Sequence, residues 1–242
     1  MPSSNTFFRF KQFIVHQERT AMKVGTDGVL LGALAQMPPN IPSPRILDIG
    51  TGTGLVAIML AQRFPSASVT AIEIDPDAAA QAVDNCAASP FVSRLHVVAT
   101  DANTFTDTLP YDLIVSNPPY FSDSLQCPDG RRTMARHTVG LDHAALMQIA
   151  ARLLAPHGRI AIILPADATD ALISEAARHD FSPVILTTIF SNRRKPARRS
   201  ICQFARSTQL FEITKNELTL LNPDGSLTAE YKEVTRDFYL DK

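Results

Sequence analysis

Asn117-Pro118-Pro119-Tyr120 puts an amide, a fixed carbonyl and an aromatic ring into four consecutive residues. The Asn117 side-chain oxygen and the Pro118 carbonyl are acceptors, and the Tyr120 ring is a stacking face. A planar aromatic amine suits such a set, because two acceptors take its two N–H hydrogens while its ring lies on the tyrosine. The prolines stiffen the arrangement. Each fixes its own φ, donates no backbone hydrogen bond and pushes the preceding residue into an extended conformation. Directly before them stands Leu113-Ile114-Val115, a short apolar run of the kind buried on both faces of a parallel sheet. The four residues therefore fall at the carboxyl end of a strand, where open α/β sheets bind ligands. Asn and Pro also build ordinary turns. A string of this type arises by chance in roughly one chain in a hundred, and the buried strand before it favours chemistry.

A second cluster reads as strand, glycine turn and helix: Arg45-Ile46-Leu47-Asp48, then Gly50, Gly52 and Gly54 at alternate positions, then an apolar helix from Leu55. Glycine is needed where a backbone turns tightly and a ligand approaches closely. The dinucleotide spacing G-x-G-x-x-G is not met, because its third position is Leu55. Asp48 before the turn would repel a pyrophosphate and instead favours a cationic head such as the amino acid and sulfonium of S-adenosylmethionine. Glu73 ends the next strand about twenty residues on, where a carboxylate takes the two hydroxyls of a ribose. Asp75 is the alternative, although Asp before Pro76 reads as a helix cap. Asp101 follows a third strand, Arg94 to Thr100, and is placed to accept from the adenine amine of the cofactor. Lys23, Thr26 and Asp27 form a polar knot before an apolar helix, with Thr26 or Asp27 as its cap, and suit a lid over a small ligand.

Two basic segments remain. Arg131, Arg132 and Arg136, with His137, lie in the long stretch from Phe121 to Gly140 just after the reactive turn. Arg193, Arg194, Lys195, Arg198 and Arg199 crowd into seven residues of a hairpin connection. On a chain whose net charge is −1, such clusters read as local grips for phosphate rather than a global field. Composition bounds the rest. The three cysteines lack paired metal spacing and read as reduced thiols, so neither a disulfide frame nor a metal is expected. No apolar run reaches bilayer length and the amino terminus lacks a signal-peptide core, so a cytoplasmic protein is expected, monomeric or weakly dimeric.

The elements that position these residues alternate strand and helix at least five times over the 242 residues. That pattern gives an α/β fold, a parallel sheet with helices on both faces. Asp48, Glu73, Asp101 and Asn117 close successive strands and converge on one rim. Residues 1–40 read as an extension, a strand or hairpin over Phe7 to Gln17 and a helix, and residues 41–242 as the main domain.

The combination of Asp48-x-Gly50-x-Gly52-x-Gly54 with Asn117-Pro118-Pro119-Tyr120 resembles the class I S-adenosylmethionine-dependent amino methyltransferases. Phe10-Lys11-Gln12-Phe13, the block from Ala21 to Ala33, Asn117 to Phe121 and the closing Asp237-Phe238-Tyr239-Leu240 look like the bacterial tRNA1(Val) adenine-N6-methyltransferases. The resemblance spans nearly the whole chain. It implies a Rossmann-like fold with a mostly parallel seven-stranded sheet and N6-methylation of an adenosine beside the anticodon of a valine tRNA. It also implies Asn117, Pro118 and Tyr120 as the reacting turn. The release-factor glutamine methyltransferases share that turn, which leaves a protein substrate as the alternative. An RNA-binding module that keeps the pocket without turnover is a third reading. The basic segments favour RNA.

Overall fold

The computed structural model of the chain describes residues 6–119, 141–208 and 212–240. In chain order the elements are β1 (Phe7–Arg9), β2 (Ile14–His16), α1 (Thr26–Leu34), β3 (Arg45–Ile49), α2 (Leu55–Arg63), β4 (Ser68–Glu73), α3 (Pro76–Ala87), β5 (Leu95–Ala99) and β6 (Tyr111–Ser116). They continue with α4 (His143–Leu153), β7 (Leu154–Pro165), α5 (Thr169–Arg178), β8 (Phe181–Phe190), β9 (Arg199–Arg206), β10 (Thr214–Thr219) and α6 (Ala229–Thr235).

β3 to β10 form one sheet in the order β10-β8-β9-β7-β6-β3-β4-β5. β9 runs against both its neighbours and every other pairing is parallel. The fold is the α/β class read from sequence, with eight strands where seven were expected. The extra strand is β10, paired in parallel with β8. Its residues Thr214-Lys215-Asn216-Glu217 are exposed, so it carries little of the apolar signal that marks a buried strand.

Side chains alternate across the sheet with period two. Ile46, Leu113, Val115, Ala161 and Ile163 enter the core beneath α1 and α2, while Leu47, Ile114, Ile160 and Ile162 enter the core beneath α4 and α5. α1 is apolar nearly all round and is buried from Gly28 to Gly32, as such helices must be. It packs on α2 and α6. At Gly32 an added Cβ would stand 2.8 Å from the Met59 sulfur, so glycine permits the close helix contact.

Arginines end several of these helices. The Arg63 guanidinium donates to the carbonyls of Gly32 and Ala35 at the end of α1, at 2.9 and 2.7 Å. Arg94 does the same for Ala61, Phe64 and Ala67 after α2, and Arg206 for Ala151 and Leu154 after α4. Gly32, Ala61 and Ala151 lie in last helical turns, where carbonyls have no partner within the helix, and a cation there also complements the helix dipole.

The start of α1 corrects one expectation. Neither Thr26 nor Asp27 caps it; the helix begins at Thr26, and the cap position is Gly25, in extended backbone and without a side-chain bond. β1 and β2 pair as an antiparallel hairpin apart from the main sheet. The amide of Lys11 within it donates to the Phe238 carbonyl at 2.7 Å, and the Phe10 and Tyr239 rings stack at 5.9 Å and 7°. Among the described residues no helix is long and apolar enough to cross a membrane.

Candidate active site

The parallel register fixes the rim. Ile49 pairs with both Ser116 and Ile72, and Glu73 pairs with Ala99, so β3, β4, β5 and β6 end together. The Ser116 hydroxyl donates to the Ile49 carbonyl at 3.0 Å and locks the two strand ends. Beyond them Gly50, Gly52 and Gly54 take φ of 71°, 56° and 81°, the left-handed region that costs other residues strain. Nothing lies within 4 Å of a Cβ built on Gly50 or Gly52, so these glycines border open space. That space is a cleft of about 1410 Å³. It exceeds the roughly 300–1,000 Å³ of a usual small-molecule pocket, and has room for a small ligand and an inserted base together.

The predicted acidic residues line this cleft. Asp48 is 1% exposed and accepts from the Thr51 hydroxyl at 2.6 Å. Burial above all, with the Glu73 charge adding, raises its pKa from 3.8 to about 7 against the lowering effect of Thr51 and the Ala57 amide. A buried carboxylate in this state gains from a cation beside it. Glu73 accepts from the Gly52 amide at 2.9 Å and from the amides of Ile74 and Asp75 at 2.9 and 3.1 Å. It is thereby fixed on the floor of the cleft, next to the turn. Asp75 caps α3, accepting from Asp77 and Ala78. Asp101 holds its own turn by accepting from the Asn103 amide at 2.9 Å.

Asn117 stands at the cleft wall with its amide nitrogen 3.8 Å from the Met22 sulfur. Pro119 borders this cleft and a neighbouring cavity of about 570 Å³. Pro118 is buried and borders the second cavity. Lys23, Thr26 and Asp27 belong to the segment Thr20–Gly28 that roofs the cleft. Lys23 donates to the Gln17 carbonyl, and the Val24 amide to the Gln17 side chain at 2.7 Å.

The basic hairpin between β8 and β9 reaches the same rim, since Arg199 pairs in register with Pro165 at the end of β7. Its cations divide. Arg194, Lys195 and Arg198 are exposed, and Arg198 also borders the cleft. Arg193 is paired with Glu217 at 2.5 Å and lies over the Phe190 ring at 5.4 Å. Arg199 is paired with Asp27 at 2.8 Å. Tyr120, Arg131, Arg132 and Arg136 lie outside the described residues. Among the described residues no group of His, Cys, Asp and Glu is placed to hold a metal ion.

Two contributors escaped the sequence reading. Asn85 on α3 is 1% exposed; it donates to the carbonyls of His16 and Thr53 and accepts from the His16 amide, tying the N-terminal hairpin to the glycine turn. The available signal was Gln81 and Asn85, polar residues four apart on a face otherwise of alanines. Met22 is the other, 47% exposed against Asn117.

The sequence pattern of the methyltransferase small domain family matches residues 24–171. A tRNA1(Val) (adenine(37)-N6)-methyltransferase of Bacteroides fragilis is 45% identical over 241 residues, covering 98% of this chain and 99% of that protein. The protein of the same name from Aeromonas hydrophila is 43% identical over 237 residues, with 98% of each chain covered. Among solved structures, one described as a "predicted O-methyltransferase" from Agrobacterium tumefaciens superposes with a TM-score of 0.67 at 20% identity, over 88% of this chain and 96% of that one. A glycopeptide N-methyltransferase crystallised with S-adenosylmethionine gives 0.56 at 14% identity, over 76% and 100%. The structural likenesses carry the fold, and the sequence relatives carry more: this chain belongs to the methyltransferase small domain family, among the tRNA1(Val) (adenine(37)-N6)-methyltransferases.

Proposed function

We propose that this chain is an S-adenosylmethionine-dependent enzyme of the cytoplasm that methylates N6 of the adenosine beside the anticodon of a valine tRNA. The observation that carries the reading is the placement of Asn117, at the end of β6, in one cleft with the glycine turn that ends the adjacent strand β3. The names of the relatives supply the tRNA.

The cleft fits the methyl donor. Open space beside Gly50 and Gly52 admits a close ligand, Glu73 is fixed beside it to accept ribose hydroxyls, and buried Asp48 answers a cationic head. Asp101 accepts from the adenine amine, and Lys23, Thr26 and Asp27 close the cleft from above. When bound, the donor supplies a methyl group made electrophilic by its sulfonium.

The protein's task is then the nucleophile. The N6 amine of adenine is weak because its lone pair is delocalised into the ring. The Asn117 oxygen and the Pro118 carbonyl accept its two hydrogens, which localises the pair on nitrogen and aims it. Tyr120 stacks on the extruded base, an interaction of about 1–3 kcal/mol. As the N–C bond forms and the methyl–sulfur bond breaks, its electron pair staying on the neutralised sulfur, nitrogen becomes cationic and gives its surplus proton to solvent, so no strong base is required. Alignment of the two reactants supplies much of the acceleration. Residues 1–40 form an extension to the domain of residues 41–242, and the exposed cations Arg194, Lys195 and Arg198 grip phosphate, together with Arg131, Arg132 and Arg136.

Incubation with methyl-labelled donor, purified tRNA and a purified release factor tests this reading. N6-methyladenosine in a nuclease digest of valine tRNA is the expected result. Label in the protein, or in neither, overturns it.

A further inference from the structure

Arg199 opens β9, the strand that runs against the others, and so starts at the rim where β7 and β8 finish. Its side chain does not share the exposure of Arg194, Lys195 and Arg198. Nε donates to the Asp27 carboxylate at 2.8 Å, and a second nitrogen donates to the Arg198 carbonyl at 2.9 Å. The Arg199 and Asp27 side chains are only 20% and 26% exposed. The partners lie 172 positions apart, so folding alone brings them together.

Asp27 sits in the first turn of α1, a turn with no side-chain cap, and it ends the Thr20–Gly28 roof. Gln17 fixes the middle of that roof through Val24 and Lys23. The Arg199–Asp27 pair fixes its other end to the sheet. A planar guanidinium sandwiched between a carboxylate and a carbonyl holds both direction and distance, which a flexible ammonium does less well.

We infer that Arg199 is a positioning residue of the donor site: through Asp27 it holds the roof against the sheet edge and so sets the width of the cleft. The inference rests on the reading that this cleft takes S-adenosylmethionine. It gives two adjacent arginines different work, Arg198 facing RNA phosphate and Arg199 facing the cofactor roof.

Calorimetric titration of S-adenosylhomocysteine into the full chain, without RNA, is the test. Arg199→Ala and Asp27→Asn should each raise Kd by about tenfold, the scale of one lost charge-assisted hydrogen bond. The double variant should lose clearly less than the product of the two single losses, since both break the Arg199–Asp27 bond. Arg199→Lys should fall between wild type and Arg199→Ala. The Kd of Arg199→Ala for tRNA, and its salt dependence, should stay within twofold of wild type. Thermal melts identify any variant that fails to fold, and Arg199→Lys then carries the comparison. An Arg199→Ala Kd within twofold of wild type, losses that multiply in the double variant, or a loss confined to tRNA would each overturn the inference. Failure of the wild type itself to bind is a different result, and it sinks the donor-site reading beneath.

Discussion

The Glu73 carboxylate accepts the backbone amide of Gly52 at 2.9 Å, so the end of β4 braces the turn that follows β3. The same side chain also accepts from Ile74 and Asp75, which leaves it little freedom to rotate. A ligand meeting this carboxylate finds it already oriented. Glu73→Ala should therefore weaken donor binding by about 1.5–3 kcal/mol, the range for hydrogen bonds to a charged group. Calorimetry with S-adenosylhomocysteine measures it, and unchanged affinity would place the ribose contact elsewhere.

Asn117→Ala should separate binding from chemistry. Its amide lies at the cleft wall beside Met22, at the end of the strand next to the one that leads into the turn braced by Glu73. Donor affinity should stay within about twofold, while single-turnover transfer falls by at least about two orders of magnitude, as when a contact made in the transition state is lost. Transfer at the wild-type rate would remove Asn117 from the mechanism.

The pH dependence of stability should report Asp48. Unfolded, it releases its proton near 3.8; folded, near 7. Between those values the unfolded chain has lost a proton that the folded chain keeps. The group's contribution to stability is thus complete below 3.8, is lost as pH rises toward 7, and stays lost above. Donor-free Asp48→Asn has no such loss. It should melt higher than wild type at pH 8, by at most on the order of 4 kcal/mol in stability, and the gap should close near pH 4. Equal gaps at both pH values would mean that Asp48 is ionised throughout.

The hairpin cations should be unequal in RNA binding. Arg193, Arg194 and Lys195 are all exposed, but among the described residues only Arg193 is paired, with Glu217, and it lies over the Phe190 ring. Replacing Arg194 and Lys195 with Ala should flatten the plot of log K for tRNA against log salt by about two units, one per phosphate contact. Adding Arg193→Ala should change it little further. Thermal stability should move by no more than about 0.5 kcal/mol, as for most exposed substitutions. A double variant whose slope overlays the wild type would show the run to be a solvated loop.

What the sequence made legible was backbone demand. Gly50, Gly52 and Gly54 are written where φ must be positive, and Pro118 and Pro119 where the chain must stay extended, so both halves of the site could be read locally. The alternating strands and the α/β class followed from the same local logic. The roles of arginine were not legible, because a guanidinium on a distant helix end and one facing solvent look alike in a string of letters. Arg63, Arg94 and Arg206 proved to be helix ends, and Arg199 a partner of Asp27. Asn85 was hidden for the same reason: its three bonds reach His16 and Thr53, far from it in sequence. β10 was missed because an edge strand with exposed polar residues lacks the apolar run that betrays its neighbours.

The bond from the Lys11 amide to the Phe238 carbonyl has a meaning in time as well as space. A ribosome makes the two partners about 230 residues apart, and at roughly 5–20 residues per second that is an interval of some 10–45 s. Until Phe238 and Tyr239 leave the exit tunnel, the hairpin that carries Phe10 lacks the Tyr239 ring, and α1 lacks the flank that α6 provides. The nascent chain therefore cannot dock its N-terminal hairpin on this late segment through most of its synthesis. A product that stops before Phe238 lacks both contacts, so docking of the hairpin waits until translation has passed that residue.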